Sequence, residues 1–394
     1  MASDNLFNCD FTPNQQSVME AERVGGNHPT YGLVGSDAEW ERVRDELQPP
    51  GGIEHGIGRV VRISRKVFTN GDLEMYDGEK IDHWGFEDDD GIRDFPSTPI
   101  ILTGGDLLQC DMSSSTRQHT IHWHGIEPDP LNDGVGHTSF EINGSYIYQW
   151  RAHPSNCGTY FYHCHVNTVL HVQMGMFGAL VIYPTGTQPD DELKRPFEEA
   201  PQEWAFNQEY TWPVYAIDPR WHELNHDAGV CGEDVGLNDF RPEYFTIGRF
   251  SQDPNGPPIE GDAPDGPAII DDDDERHRQP IAVKASLGDS VYIRMVDATY
   301  FPVEVDFGEL NSQMMLIETD GRPLHDGIDF TGRGLGVRPV AVPWDRTDMR
   351  FAPAERLGVL FKPTKQGVFP VTMHVRHWVT NAIVGTIRTT ITVE

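Results

Sequence analysis

Short apolar and alternating stretches recur along the chain, each closed by Gly, Asn, Asp or Pro. A first series is RVVRISRKVF (59–68), PIILTGGDLLQCDM (99–112), SYIYQWRA (145–152), GTYFYHCHV (158–166) and GALVIYP (178–184). A second is EYFTIGRF (243–250), PIAVKASLGDSVYIRMVDA (280–298), VEVDFG (303–308), MMLIETDG (314–321), RLGVLFKP (356–363) and GVFPVTMHV (367–375). Period-two runs of this length predict an all-β sandwich or barrel, because alternate strand side chains face opposite sides and one side must be buried. The two series repeat one order. TPIILTGGDLLQCDM parallels QPIAVKASLGDSVYIRM, and CGTYFYHCHV parallels QGVFPVTMHV, which predicts two tandem domains from an internal duplication.

The first domain is expected over 58–186 and the second over 203–394, with residues 1–57 as an arm carrying one helix at DAEWERVRDEL. Residues 251–280 are rich in Pro, Gly and Asp and read as an acidic insertion loop, whose run Asp271–Asp274 is expected to be solvated. No run of eighteen apolar residues occurs, so no membrane-spanning helix is expected. The start MASDNLFNCD lacks the basic and apolar regions of a secretion leader. A formal net charge of -32 speaks against nucleic acid and anionic membranes as partners.

Candidate chemistry concentrates in YHCHVNTVLHVQMGMFG (162–178) and HTIHWHG (119–125). Alternation puts His163 and His165 on one face and Cys164 on the other, and it pairs His122 with His124 while giving His119 the parity of Trp123. Two ligand sets result. His119, Cys164, His171 and Met176 supply two imidazoles, a thiolate and a thioether, the donors of a blue-copper electron-transfer site, with Met174 as the competing axial sulfur. His122, His124, His163 and His165 supply four imidazoles, which suit copper or zinc.

Of the other cysteines, Cys9, Cys110, Cys157 and Cys231 allow three pairings in an oxidising compartment or remain free thiols. His137, His153, His222, His226 and His325 read as surface or loop residues. Trp123, Trp150, Trp204 and Trp212 read as packing, Trp123 also as a shield for the first set.

At HTIHWHG, NDGVGHTSFEI (132–142), GTYFYHCHVNTVLHV and GMFGALVIYP the chain resembles the multicopper oxidases, in particular two-domain laccase-like forms with blue copper in the first domain. The resemblance implies two Greek-key cupredoxin domains. It implies a type 1 copper on His119, Cys164, His171 and Met176, with His122 serving type 2 copper and His124, His163 and His165 the type 3 pair. Electrons from a small reducing substrate or a redox protein would pass through Cys164 to His163 and His165, the interdomain site reducing O2. It further implies a homotrimer in a periplasmic or extracellular setting, with the interdomain site shared between one subunit's first domain and the next one's second.

The second domain departs from that pattern. VEVDFG offers Glu304 and Asp306 where imidazoles belong, TMHV keeps His374 but has Met373 at the cysteine position and Thr372 beside it, and His377 has the wrong parity. His374, Glu304 and Asp306 are therefore its candidate contributors, as ligands or as groups that only orient ligands. Two other functions remain open on these residues: nitrite-reductase-like copper chemistry and non-catalytic copper binding or electron transfer.

Overall fold

A computed structural model describes residues 59–126, 128–136, 138–139, 141–230, 232–259, 281–326, 338–344 and 350–394. The arm with its helix, the Asp271–Asp274 run, His137, Cys9 and Cys231 lie outside these residues.

Eight strands build the first half: β1 (Val60–Glu74), β2 (Lys80–Glu87), β3 (Ser97–Thr103), β4 (Leu107–His119), β5 (His122–His124), β6 (Ile142–Arg151), β7 (Gly158–His163) and β8 (Phe177–Tyr183). They form two four-stranded sheets, ordered β2-β1-β4-β6 and β3-β8-β7-β5. Alternation drives the packing. In β6 the residues Tyr146, Tyr148 and Trp150 are buried at every second position and meet Trp123, Tyr162 and Cys164 in one core.

The second half contains β9 (Gln208–Ile217), β10 (Tyr244–Ile247), β11 (Phe250–Ser251), β12 (Val283–Ala285), β13 (Val291–Asp297), β14 (Val303–Asp306), β15 (Met314–Thr319), β16 (Arg322–Pro323), β17 (Val342–Pro343), β18 (Arg350–Phe351), β19 (Arg356–Phe361), β20 (Gly367–Arg376) and β21 (Ile383–Val393). One sheet runs β11-β10-β9-β13-β19-β15-β16, with β17 on β15, and the other runs β12-β21-β20-β14-β18. Trp212, Val303, Val371, Met373 and Ile391 lie in the core between them. Trp150, Trp204 and Trp212 are buried, as expected of packing residues.

β2, β9 and β21 were not among the stretches singled out from the sequence. All three complete sheets at positions beside strands that were.

The two halves are clamped together at the start of β7. The buried Glu318 carboxylate on β15 accepts hydrogen bonds from Thr159 N at 2.5 Å, from Thr159 Oγ1 at 3.0 Å and from the Tyr292 hydroxyl. Arg294, with a fully buried side chain, donates from Nη1 to Thr159 Oγ1 at 2.8 Å and from Nε to Glu209 at 2.5 Å. Tyr160 donates to Gly321 O at 3.0 Å. Charges removed from water need such partners, so this network fixes the strand that ends at His163.

Cys110 and Cys157 are buried free thiols, the second donating to Pro154 O at 2.8 Å. Among the described residues no helix is long and apolar enough to cross a membrane.

Candidate metal centres

β7 ends at His163, yet the alternation continues through the next two residues. Cys164 Sγ lies 3.2 Å from His171 Nδ1 and 3.6 Å from His119 Nδ1. His163 and His165 turn the other way, their rings 5.8 Å apart and nearly parallel. Donors bound to one ion at metal–sulfur and metal–nitrogen distances near 2.3 and 2.0 Å sit about 3.5 Å apart in tetrahedral geometry, so the sulfur and the two nitrogens are spaced as ligands of one ion.

His119 reaches this set by a route that parity does not describe. It closes β4 in one sheet, whereas His122 opens β5 in the other, and Thr120–Ile121 break the strand between them. Its Nδ1 lies 3.6 Å from the Cys164 sulfur although no continuous strand carries it there. His171 sits on a short helix, α1 (Thr168–Gln173), rather than in a loop. Asn167 caps that helix in the left-handed region with φ 41.

Met176 and Met174 are both fully buried. The Met176 main chain bridges the other ligands, accepting from Cys164 N at 3.0 Å and donating to His171 O at 3.1 Å. Met174 instead accepts from Trp84 N at 2.9 Å. The backbone pairing thus ties Met176, not Met174, to Cys164 and His171.

In the second set, His124 Nδ1 and His163 Nε2 are 3.2 Å apart, close to the roughly 3.3 Å expected for two imidazoles on one tetrahedral ion. The ring of His122 lies 5.2 Å from those of His163 and His165. Backbone carbonyls set the tautomers. His122 Nδ1 donates to Asp133 O at 2.8 Å and His163 Nδ1 to Cys164 O at 2.9 Å, which leaves Nε2 of each as the donor to a metal. Gly134, beside Asp133, packs so tightly against Ile121 that a Cβ would fall 1.8 Å from its carbonyl oxygen, and its φ is +71. Only glycine brings that loop onto β5. This explains why NDGVG accompanies HTIHWHG.

Burial disfavours the charged forms of His119, His124, His163, His171 and Cys164. It lowers His119 and His163 well below the usual imidazole range, and brings His171 to about 3 with help from His226, and His124 to about 3 with help from the Arg356 guanidinium. Burial also pushes the Cys164 thiol up to about 12. Neutral imidazoles are ready ligands, while the thiol loses its proton only to a metal ion that replaces it.

Among the described residues, two groups of His, Cys, Asp or Glu bring at least three donor atoms within 4.8 Å of one another: His122, His124 and His163, and His119, His171 and His226. His226 was expected at the surface or in a loop, and it does lie in a turn. That turn is buried at His226, with its ring 4.4 Å from that of His171 and 4.8 Å from that of His119. His222 is also buried, donating from Nδ1 to Asp82 O at 2.5 Å, whereas His153 and His325 are exposed. No periodicity in WHELNHDAGV marks either buried histidine. Trp123 lies in the core, 5.3 Å from Trp150 and 5.7 Å from Tyr148.

The second-domain candidates have other partners. Glu304 is held by Arg376, from Nε at 2.7 Å and Nη2 at 3.2 Å, and by Arg350 Nε at 3.2 Å. Asp306 accepts from Gly308 N at 2.8 Å and Asn311 Nδ2 at 2.7 Å. His374 Nδ1 is 3.0 Å from Thr386 Oγ1. His377 Nδ1 accepts from Val379 N and Thr380 N, each at 3.2 Å.

Residues 89–187 match the family model described as multicopper oxidase. The segment that carries both ligand sets is thus similar to multicopper oxidases. Its relatives include multicopper oxidase CTB12 of Cercospora beticola, 38% identical over 182 residues that make up 41% of this chain and 27% of that protein. Copper resistance protein A of Pseudomonas syringae pv. tomato is 41% identical over 73 residues, 18% of this chain and 11% of that protein. The chain spans less than a third of the length of these relatives.

The whole fold is similar to the blue copper oxidase of Nitrosomonas europaea, with TM-score 0.56 and 21% identity over 84% of this chain and 85% of that one. It is similar also to the copper nitrite reductase of Nitrosomonas europaea, with TM-score 0.53 and 15% identity over 85% and 94%. These likenesses are likenesses of fold, β-sheet units arranged in tandem. The match of residues 89–187 to the multicopper oxidase model points to copper as the metal.

Proposed function

We propose that the protein is a laccase-like copper oxidoreductase. In this reading His119, Cys164, His171 and Met176 hold a type 1 copper, and His122, His124, His163 and His165 hold the oxygen-reducing site. Copper bound at the two sets supplies one-electron redox chemistry and the reduction of O2. The observation that carries the reading is the splay at residues 163–165, where the sulfur joins two imidazoles on one side and the flanking rings join two more on the other.

The chain's own residues do the rest. Carbonyl oxygens of Asp133 and Cys164 orient His122 and His163, and the aromatic core around Trp123 keeps water from the sulfur. Because the Cys164 carbonyl accepts from His163 Nδ1, the two sets are joined by a hydrogen bond as well as by the chain, and this peptide is the proposed conductor.

Glu304, Asp306 and His374 act in this reading as structural or orienting groups, since each carboxylate already has hydrogen-bonding partners. A homotrimer that brings the next subunit's second domain over the second set, in a periplasmic or extracellular setting, completes the proposal. The family match of the first domain favours the oxidase over nitrite-reductase chemistry.

Copper analysis combined with visible absorption tests the reading. A copper-loaded protein should be blue and consume O2 with a reducing substrate. One blue copper without oxygen uptake would instead mark an electron carrier, and a colourless protein would remove the type 1 assignment.

A further inference from the structure

His226 lies on a segment from the second half of the chain that has been drawn onto the first ligand set. Its carbonyl accepts from His171 Nε2 at 3.2 Å and from Asn167 Nδ2 at 3.1 Å. Asn167 also donates to Ala228 O at 3.0 Å. His226 Nε2 donates at 2.9 Å to the carbonyl of Gln118, the residue before His119. Its ring stacks on Trp84 at 6.0 Å, and Trp84 in turn meets His171 edge-on at 5.3 Å. The result is a stapled segment with His226 8% exposed and the Asp227 side chain, at 56%, facing water.

The outer nitrogen of His171 is therefore spent on a peptide carbonyl, and the His119 ring is fully buried with the His226 ring across it at 90°. Neither imidazole presents an edge to solvent. Donor chemistry divides on this point. A phenol gives up one electron and one proton to form a phenoxyl radical, so it benefits from hydrogen-bonded contact with a group at the acceptor. An outer-sphere metal complex gives up one electron and no proton, so it needs only proximity.

Resting on the type 1 copper reading above, we propose that His226–Ala228 is a specificity cap, closing the imidazole edges to hydrogen-bonding phenols and admitting outer-sphere one-electron donors. Each donor loses one electron, which the type 1 site gains, and a phenol's proton passes to solvent. The cap is a positioning element. It acts through His171 and through what it covers.

The test uses the copper-loaded full chain, following anaerobic bleaching of the blue band by hexaammineruthenium(II) and by 2,6-dimethoxyphenol. The readout is the ratio of the phenol rate to the ruthenium rate within each protein, which cancels shifts in driving force. Asn167→Gly removes both Asn167 staples and tolerates the left-handed φ at that position, and His226→Gly removes the covering ring.

The native ratio should be low, and each variant should raise it by about tenfold or more, the order of effect expected when contact geometry is restored. Faster amide exchange over residues 224–230 in Asn167→Gly would report that the cap has loosened. A ratio unchanged in both variants would overturn the cap while leaving the blue copper intact. Native protein lacking a blue band would overturn the copper reading, and the cap with it.

Discussion

The same four-stranded pattern occurs twice in this molecule, and among the described residues the clustered histidine donors gather at the first copy. In the first domain β3 runs parallel to β8, which pairs antiparallel with β7, which pairs antiparallel with β5. In the second, β12 runs parallel to β21, which pairs antiparallel with β20, which pairs antiparallel with β14. His122 stands opposite His163 in the first sheet. Asp306 stands opposite Thr372 in the second, at the level the repeat makes equivalent. Cys164 faces two imidazole nitrogens, whereas Met373 is fully buried among Val303, Val371 and Ile391. The strand pattern is the same while apolar packing and ion pairs stand where the first copy has imidazoles and a thiol, so the fold does not depend on that cluster.

Cys164→Ser should break the contrast most completely. The thiolate-to-copper absorption should vanish and copper per chain should fall by one, with copper at the imidazole set retained. Next, Glu318→Gln should cost about 3–5 kcal/mol in chemical unfolding, because it strips a buried carboxylate from the Thr159, Tyr292 and Arg294 network joining the domains. The colour of the folded fraction should not change.

Glu304→Gln releases Arg350 and Arg376 and should cost about 1–3 kcal/mol, with copper content and spectrum unmoved. Loss of copper in that variant would make Glu304 a ligand. Smallest is Met373→Cys, expected to cost about 1–2 kcal/mol for the volume lost and to produce no blue absorption, because Thr372 and a hydrogen-bonded His374 flank it.

Much of this was legible in the sequence because strands sort side chains by parity. Two imidazoles on either side of a cysteine carry their own geometry, and the duplicated strand order gave the tandem architecture. Other features were hidden for physical reasons. β9 carries Pro213 in mid-strand, inside a sheet, and a residue lacking an N–H argues against a central strand.

His119 is grouped with Cys164 by a parity that the break at Thr120–Ile121 interrupts, although its Nδ1 lies 3.6 Å from the sulfur. His226 lies 55 residues from His171 in an aperiodic stretch, and it was found only when distant segments were seen packed together. The partners of Glu304 were hidden because the arginines that hold it come from β18 and from the end of β20.

Anomalous scattering at the copper edge from crystals of the copper-loaded protein tests the central claim most directly. The account predicts one peak enclosed by Cys164, His119 and His171, and separate density among His122, His124, His163 and His165. A single peak gathering residues 163, 164 and 165, or a copper bonded to Glu304 of any subunit, would contradict it.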